Sequence, residues 1–178
     1  ATTVIAITNQ KGGVGKTTTA AALLTGLHRR GAAVLGVDMA AGELGFSLGL
    51  DIEHCTTIYD VFRGQAEPEQ AIVRTDTCDI LPSNILLSGA ELEFNRPGRE
   101  FLLKPPVKVE DQYDYIIIDT PPAQSADGKC ICSYGQLDYP HVSGDPEPAG
   151  GFPDQGDDRE RPQLLQFPLR VLGILLNK

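Results

Sequence analysis

Hydrophobic positions along the chain alternate between two spacings. Thr3 to Thr8 is a short, β-branched, nearly continuous apolar run, the pattern of a strand covered on both faces. Lys16 to Arg30 has helical spacing instead, with Ala20, Ala21, Leu23, Leu24 and Leu27 forming one apolar stripe. Arg29 and Arg30 suit the negative end of that helix's dipole, and Gly31 can take a left-handed turn after it. Ala33 to Val37 is a second strand, ending at Asp38, and Tyr113 to Ile118 a third, ending at Asp119. Leu169 to Lys178 reads as a further buried strand. Ser88 to Phe94 has the spacing of a capped helix start, with Ser88 and Glu91 as a capping box. Arg99 to Leu103 begins another helix, which Lys104-Pro105-Pro106 would end, since an interior proline costs about 3 kcal/mol. Strands alternating with helices predict an α/β domain with a mainly parallel sheet.

Chemistry enters between the first strand and the first helix, at Asn9-Gln10-Lys11-Gly12-Gly13-Val14-Gly15-Lys16-Thr17-Thr18. Glycines at 12, 13 and 15 let successive N–H groups turn inward as an anion nest, and the helix N-terminus adds partial positive charge. Lys16 is placed to reach the β- and γ-phosphates of a nucleotide, and the Thr17 hydroxyl to ligate Mg²⁺. Gln10 stands where the first glycine of G-x-x-x-x-G-K-[ST] belongs, and Lys11 is a second lysine in the loop. Asp119, at the end of an apolar strand, has the Walker B position for holding Mg²⁺ through water.

Lys11-Gly12-Gly13-Val14-Gly15-Lys16-Thr17 resembles the deviant Walker A signature K-G-G-x-G-K-T of the ParA/MinD ATPases, and Asn9-Gln10 resembles the ParA/Soj branch. Asp114 to Pro122 is similar to that family's D-x-I-I-I-D-T-P-P. Ile80-Leu81-Pro82-Ser83-Asn84 and Leu87 to Glu93 also resemble ParA/Soj segments, without a chemistry of their own. The resemblance implies a three-layer P-loop fold binding ATP and Mg²⁺. It implies loop contacts from Lys11 through Thr18, with Lys11 reaching the partner's phosphates in a nucleotide-dependent homodimer. Asn177 becomes an adenine contact at the end of the last strand. The role implied is plasmid or chromosome segregation, with a ParB-like partner and nonspecific DNA, in the cytoplasm at the nucleoid.

One departure bears on catalysis. Where the family reads D-x-D-P-Q, this chain reads Asp38-Met39-Ala40-Ala41-Gly42, without the Pro-Gln pair, and continues to Glu43. Asp38 matches the first carboxylate, expected near Mg²⁺ and counted with Lys11 and Lys16 among the catalytic groups. Ala40 falls where a water-positioning carboxylate belongs, and alanine can neither accept a proton nor orient water. The expectation is a chain that binds ATP and hydrolyses it poorly. Glu43 is the one nearby carboxylate that would substitute if the loop reroutes.

Composition changes the picture in three places. The 178 residues suffice for one α/β domain and not for two of ordinary size. No apolar run approaches the length of a membrane span and no charged-then-apolar leader is present, so a cytoplasmic location without a membrane partner is expected. A formal net charge of −9, without a dense Lys/Arg cluster, argues against DNA binding by this chain itself. Cys55, Cys78, Cys130 and Cys132 lack metal-ligand spacing and read as reduced thiols.

Residues 124–168 break the pattern: six Pro, six Gly and eight acidic against three basic residues, with no sustained periodicity. This segment is expected to be irregular within a single domain spanning 1–178, leaving the C-terminal part of the fold incomplete. Translation in a shifted, later restored frame is the favoured explanation; an acidic insert is the other. A non-hydrolysing nucleotide-binding module, or a defective gene fragment, stands as the alternative to a partition ATPase.

Overall fold

A computed structural model describes residues 2–9, 11–87 and 109–121, together with the backbone of 140–144 and 170–175. The expected first strand is β1 (Thr3–Thr8), the helix after the glycine loop is α1 (Lys16–His28), and the strand ending at Asp38 is β2 (Val34–Asp38). Three short helices follow: α2 (Glu43–Ser47), α3 (Ile58–Phe62) and α4 (Pro68–Ala71). Then come β3 (Val73–Arg74), β4 (Asp79–Leu81), β5 (Tyr115–Asp119), β6 (Pro140–Gly144) and β7 (Arg170–Leu175).

These strands form one sheet in the order β3-β4-β2-β5-β1-β6-β7. Every neighbouring pair is parallel except β3 and β4. The chain winds from β1 outward to β2 on one side, and β6 takes the other side of β1. The strand order therefore reverses at β1, and ligands of open α/β sheets bind beside the C-terminal strand ends at such a reversal.

The apolar runs fill two cores, one on each face, because alternate side chains of a strand point opposite ways. Ile5, Ile7, Val34 and Ile117 pack with Ala20 and Leu24 of α1 and Leu44 of α2. Val4, Ala6, Leu35, Val37, Ile116 and Ile118 pack on the opposite face with Ile58, Val61 and Phe62 of α3. Each fully buried Ile or Leu contributes roughly 1.5–3 kcal/mol. α1 sits close because β2 carries Gly36: a Cβ there would lie 2.7 Å from Leu24 Cδ1 and 2.8 Å from Ile80 Cδ1. α3 begins where a capping interaction starts it, the Thr57 N–H donating to Asp60 Oδ2 at 2.8 Å.

One expectation needs correction. The helix predicted to run to Arg30 ends at His28, with Arg29 as its cap. Gly31, at φ 85°, then turns the chain so that the Ala32 N–H reaches the Leu27 carbonyl at 3.2 Å. Within the segment 124–168, expected to be irregular, only residues 140–144 are described, and they form β6. Pro140 to Gly144 adds beside β1 in parallel register, with Ala6 opposite His141 and Thr8 opposite Ser143. Main-chain pairing does not require the side-chain alternation that a sequence pattern reads. The helix starts expected at Ser88 to Phe94 and Arg99 to Leu103, the prolines 105 and 106, Cys130, Cys132 and Asn177 lie outside the described residues.

Candidate nucleotide and metal site

The glycine loop joins the C-terminal end of β1 to α1 at the reversal of strand order. Gly13 and Gly15 lie in the left-handed region, at φ 71° and 86°, where a side chain would be strained. Gly15 is the N-cap of α1 and places no side chain on the first turn, so that end of the helix presents bare N–H groups. Lys11 is exposed at the rim, its backbone N–H donating to Asn9 Oδ1 at 2.8 Å. Lys16 is buried, and its ammonium donates to the Lys11 carbonyl at 3.0 Å across the loop. Burial lowers the Lys16 pKa, while Asp119 and Glu43 oppose that shift.

Asp38 and Asp119 end adjacent strands and pair in register across β2 and β5. Both are wholly buried. Asp38 Oδ1 accepts the N–H of Ala40 at 2.8 Å and of Gly42 at 3.4 Å, and Oδ2 accepts those of Leu44 and Gly45, each at 3.1 Å. Expected beside a metal, this carboxylate is engaged in holding the loop into α2. Burial raises its pKa, and the main-chain donors with the Ser83 hydroxyl work against the rise.

Asp119 has the opposite character. Neither of its oxygens has a hydrogen-bond partner. Burial pushes its carboxyl up to about 7; Thr17 and Lys16 favour the charged form, whereas Asp38 and Glu43 oppose it. The neighbouring Thr17 hydroxyl lies close enough to Asp119 to favour its charged form, but its geometrically satisfied hydrogen bond goes to Glu43 Oε2 at 3.2 Å. An orphaned buried carboxylate is costly unless something cationic completes it. Among the described residues no three His, Cys, Asp or Glu side chains gather to hold a metal alone.

Ala40 is buried and offers the site only a main-chain N–H. Two groups were under-read in the sequence. Ser83, noted only as part of a family-like segment, is fully buried and accepts the Gly42 N–H at 2.8 Å. Glu43, held in reserve, reaches Thr17 directly. Both depend on the path of the loop between β2 and α2, which no local pattern encodes.

A family model described as an AAA domain matches residues 2–128. The Bacillus subtilis sporulation initiation inhibitor protein Soj is 43% identical over 128 residues, covering 67% of this chain and 50% of Soj. The Caulobacter vibrioides chromosome partitioning protein ParA is 40% identical over 129 residues, covering 67% and 48%. The chain belongs to the ParA/Soj-type AAA domain family. It spans about half the length of these curated relatives. Among solved structures, Mycobacterium smegmatis cobyrinic acid a,c-diamide synthase, with bound ATP analog and magnesium, superposes with a TM-score of 0.72 at 38% identity. That match covers 80% of this chain and 59% of the synthase. The fold is that of the P-loop NTPases, and nucleotide and Mg²⁺ binding occur within the family. No helix among the described residues is long and apolar enough to cross a membrane.

Proposed function

We propose that this ParA-like chain binds Mg²⁺·ATP through its double-lysine loop, hydrolyses it slowly, and serves DNA partition as a nucleotide-dependent homodimer. The observation that carries the reading is Asp119: a wholly buried carboxylate without a partner, beside the Thr17 hydroxyl and behind the glycine loop. The residues present fit the metal. Thr17 would hold it directly and Asp119 through water, with Asp38 the second carboxylate at the strand ends. When bound, Mg²⁺ neutralises phosphate charge.

The N–H groups of Gly12, Gly13, Val14, Gly15, Lys16, Thr17 and Thr18 cradle the phosphates. Lys16 exchanges the Lys11 carbonyl for a phosphate oxygen, a stronger, charge-assisted hydrogen bond. Exposed Lys11 is free to reach the nucleotide of a second copy, and Asn177 is the candidate base contact. Chromosome or plasmid segregation with a ParB-like partner, in the cytoplasm, is the biological role in keeping with the relatives.

Slow hydrolysis follows from residue 40. Phosphoryl transfer depends on positioning and charge stabilisation, and a methyl group positions no water. Phosphate release at saturating Mg²⁺·ATP, compared between the wild-type chain and Ala40→Asp, tests this. Slow release that the substitution accelerates supports the reading; fast wild-type release, unchanged by the substitution, contradicts it.

A further inference from the structure

We infer that Glu43 is a positioning residue for the bound metal in this chain, and that Asp38 holds the loop that delivers it. The inference rests on the Mg²⁺·ATP site proposed above and adds a carboxylate to it.

The loop from β2 to α2 is held from several directions at once. Asp38 accepts the N–H groups of Ala40 and Gly42 in the loop and of Leu44 and Gly45 in the first turn of α2. Ser83 takes that of Gly42 a second time. Ala41 is left-handed at φ 54°, the sole non-glycine residue with positive φ among those described, and Gly42 follows at φ 100°. A Cβ on Gly42 would lie 2.5 Å from Ile52 Cδ1 and 3.2 Å from the Ser83 carbonyl oxygen. A left-handed alanine costs about 1–2 kcal/mol and persists where surrounding contacts enforce it. The loop therefore has one path, and that path starts α2 at Glu43.

Glu43 is itself exposed, and its Oε2 accepts the Thr17 hydroxyl proton at 3.2 Å. A hydroxyl whose proton is committed to a carboxylate presents its lone pairs elsewhere, and Thr17 is the hydroxyl that the loop motif devotes to Mg²⁺. Partners of this kind orient a metal ligand and raise its basicity, and removing them costs about 10- to 100-fold in metal affinity. The independent sign that a cation belongs here is Asp119, wholly buried and unpartnered beside Thr17. Glu43 acts on the ligand hydroxyl, so it does not replace the water-positioning group missing at Ala40.

The test follows a fluorescent ADP analogue binding to the full chain as Mg²⁺ is titrated, with EDTA as the metal-free arm. Glu43→Ala should raise the Mg²⁺ concentration for half-maximal tightening about tenfold. Glu43→Gln, which keeps an acceptor oxygen and loses the charge, should fall between it and the wild type. Nucleotide affinity in EDTA should be unchanged in both. Equal Mg²⁺ midpoints in all three proteins would overturn the inference, as would an equal loss of affinity in EDTA. Should the wild type bind no nucleotide, or bind it indifferently to Mg²⁺, the site reading itself falls and takes this inference with it. Glu43→Gln is isosteric at an exposed position, so its midpoint remains readable if the alanine variant misfolds.

Discussion

Asp38 and Asp119 sit opposite one another in the β2–β5 register, yet Asp38 accepts four main-chain N–H groups and Asp119 accepts none. Two carboxylates equally buried at adjacent strand ends thus have different roles. One is built into the fold, and the other has no hydrogen-bond partner.

That asymmetry predicts opposite stability effects. Asp38→Asn turns part of a charged acceptor into a donor facing N–H groups and should cost about 2–3 kcal/mol in urea unfolding of the nucleotide-free protein. Asp119→Asn removes an uncompensated buried charge and should leave stability unchanged or higher. A larger loss from Asp119→Asn than from Asp38→Asn would contradict the assignment.

The pH dependence of Asp119 follows from its carboxyl being raised from 3.8 to about 7. A carboxyl with a higher pKa in the folded state favours folding when protonated, so its contribution is full below the unfolded value and lost as pH rises through the folded one. The stability gap between Asp119→Asn and the wild type, without metal or nucleotide, should be near zero around pH 3.8 and widen up to about pH 7. A gap independent of pH across this window would show that the carboxylate is satisfied.

Cys78 is 4% exposed, and burial pushes its thiol up to about 11. Iodoacetamide at pH 8, followed by peptide mass mapping, should modify the half-buried Cys55 readily and Cys78 only after unfolding. Modification of both at equal rates would mean that the helix side of the sheet opens easily.

How much was legible beforehand depended on how local the cause was. β1, β2 and β5 were read because nearly continuous apolar runs suit strands buried on both faces, and α1 because Ala20 and Leu24 recur at helical spacing. The loop lysines and Thr17 stand out as candidates because a phosphate nest needs glycines at fixed offsets. Glu43 was not, since its reach to Thr17 depends on Asp38, Ser83 and Ile52 jointly shaping the loop between β2 and α2. β6 was hidden for a different reason: Pro140-His141-Val142-Ser143-Gly144 shows no strand pattern, and its pairing depends on β1.

Gly36 tests the packing that brings α1 and its loop to the sheet. Gly36→Val would place atoms where Leu24, Ile80 and Leu44 already meet, and should cost about 3 kcal/mol in urea unfolding. Retention of full stability would mean that α1 can move away from β2.

The central claim, that the double-lysine loop and Asp119 form a Mg²⁺·ATP site, is tested most directly by thermal unfolding with and without Mg²⁺·ATP. A ligand at about 100 times its Kd adds roughly 2.7 kcal/mol, a rise in Tm of several degrees. The wild-type chain should show that rise with ATP and Mg²⁺ together, and a smaller one when EDTA replaces the metal. Lys16→Ala should show none. A melting temperature indifferent to Mg²⁺·ATP in the wild type, or an equal shift in Lys16→Ala, would contradict the account.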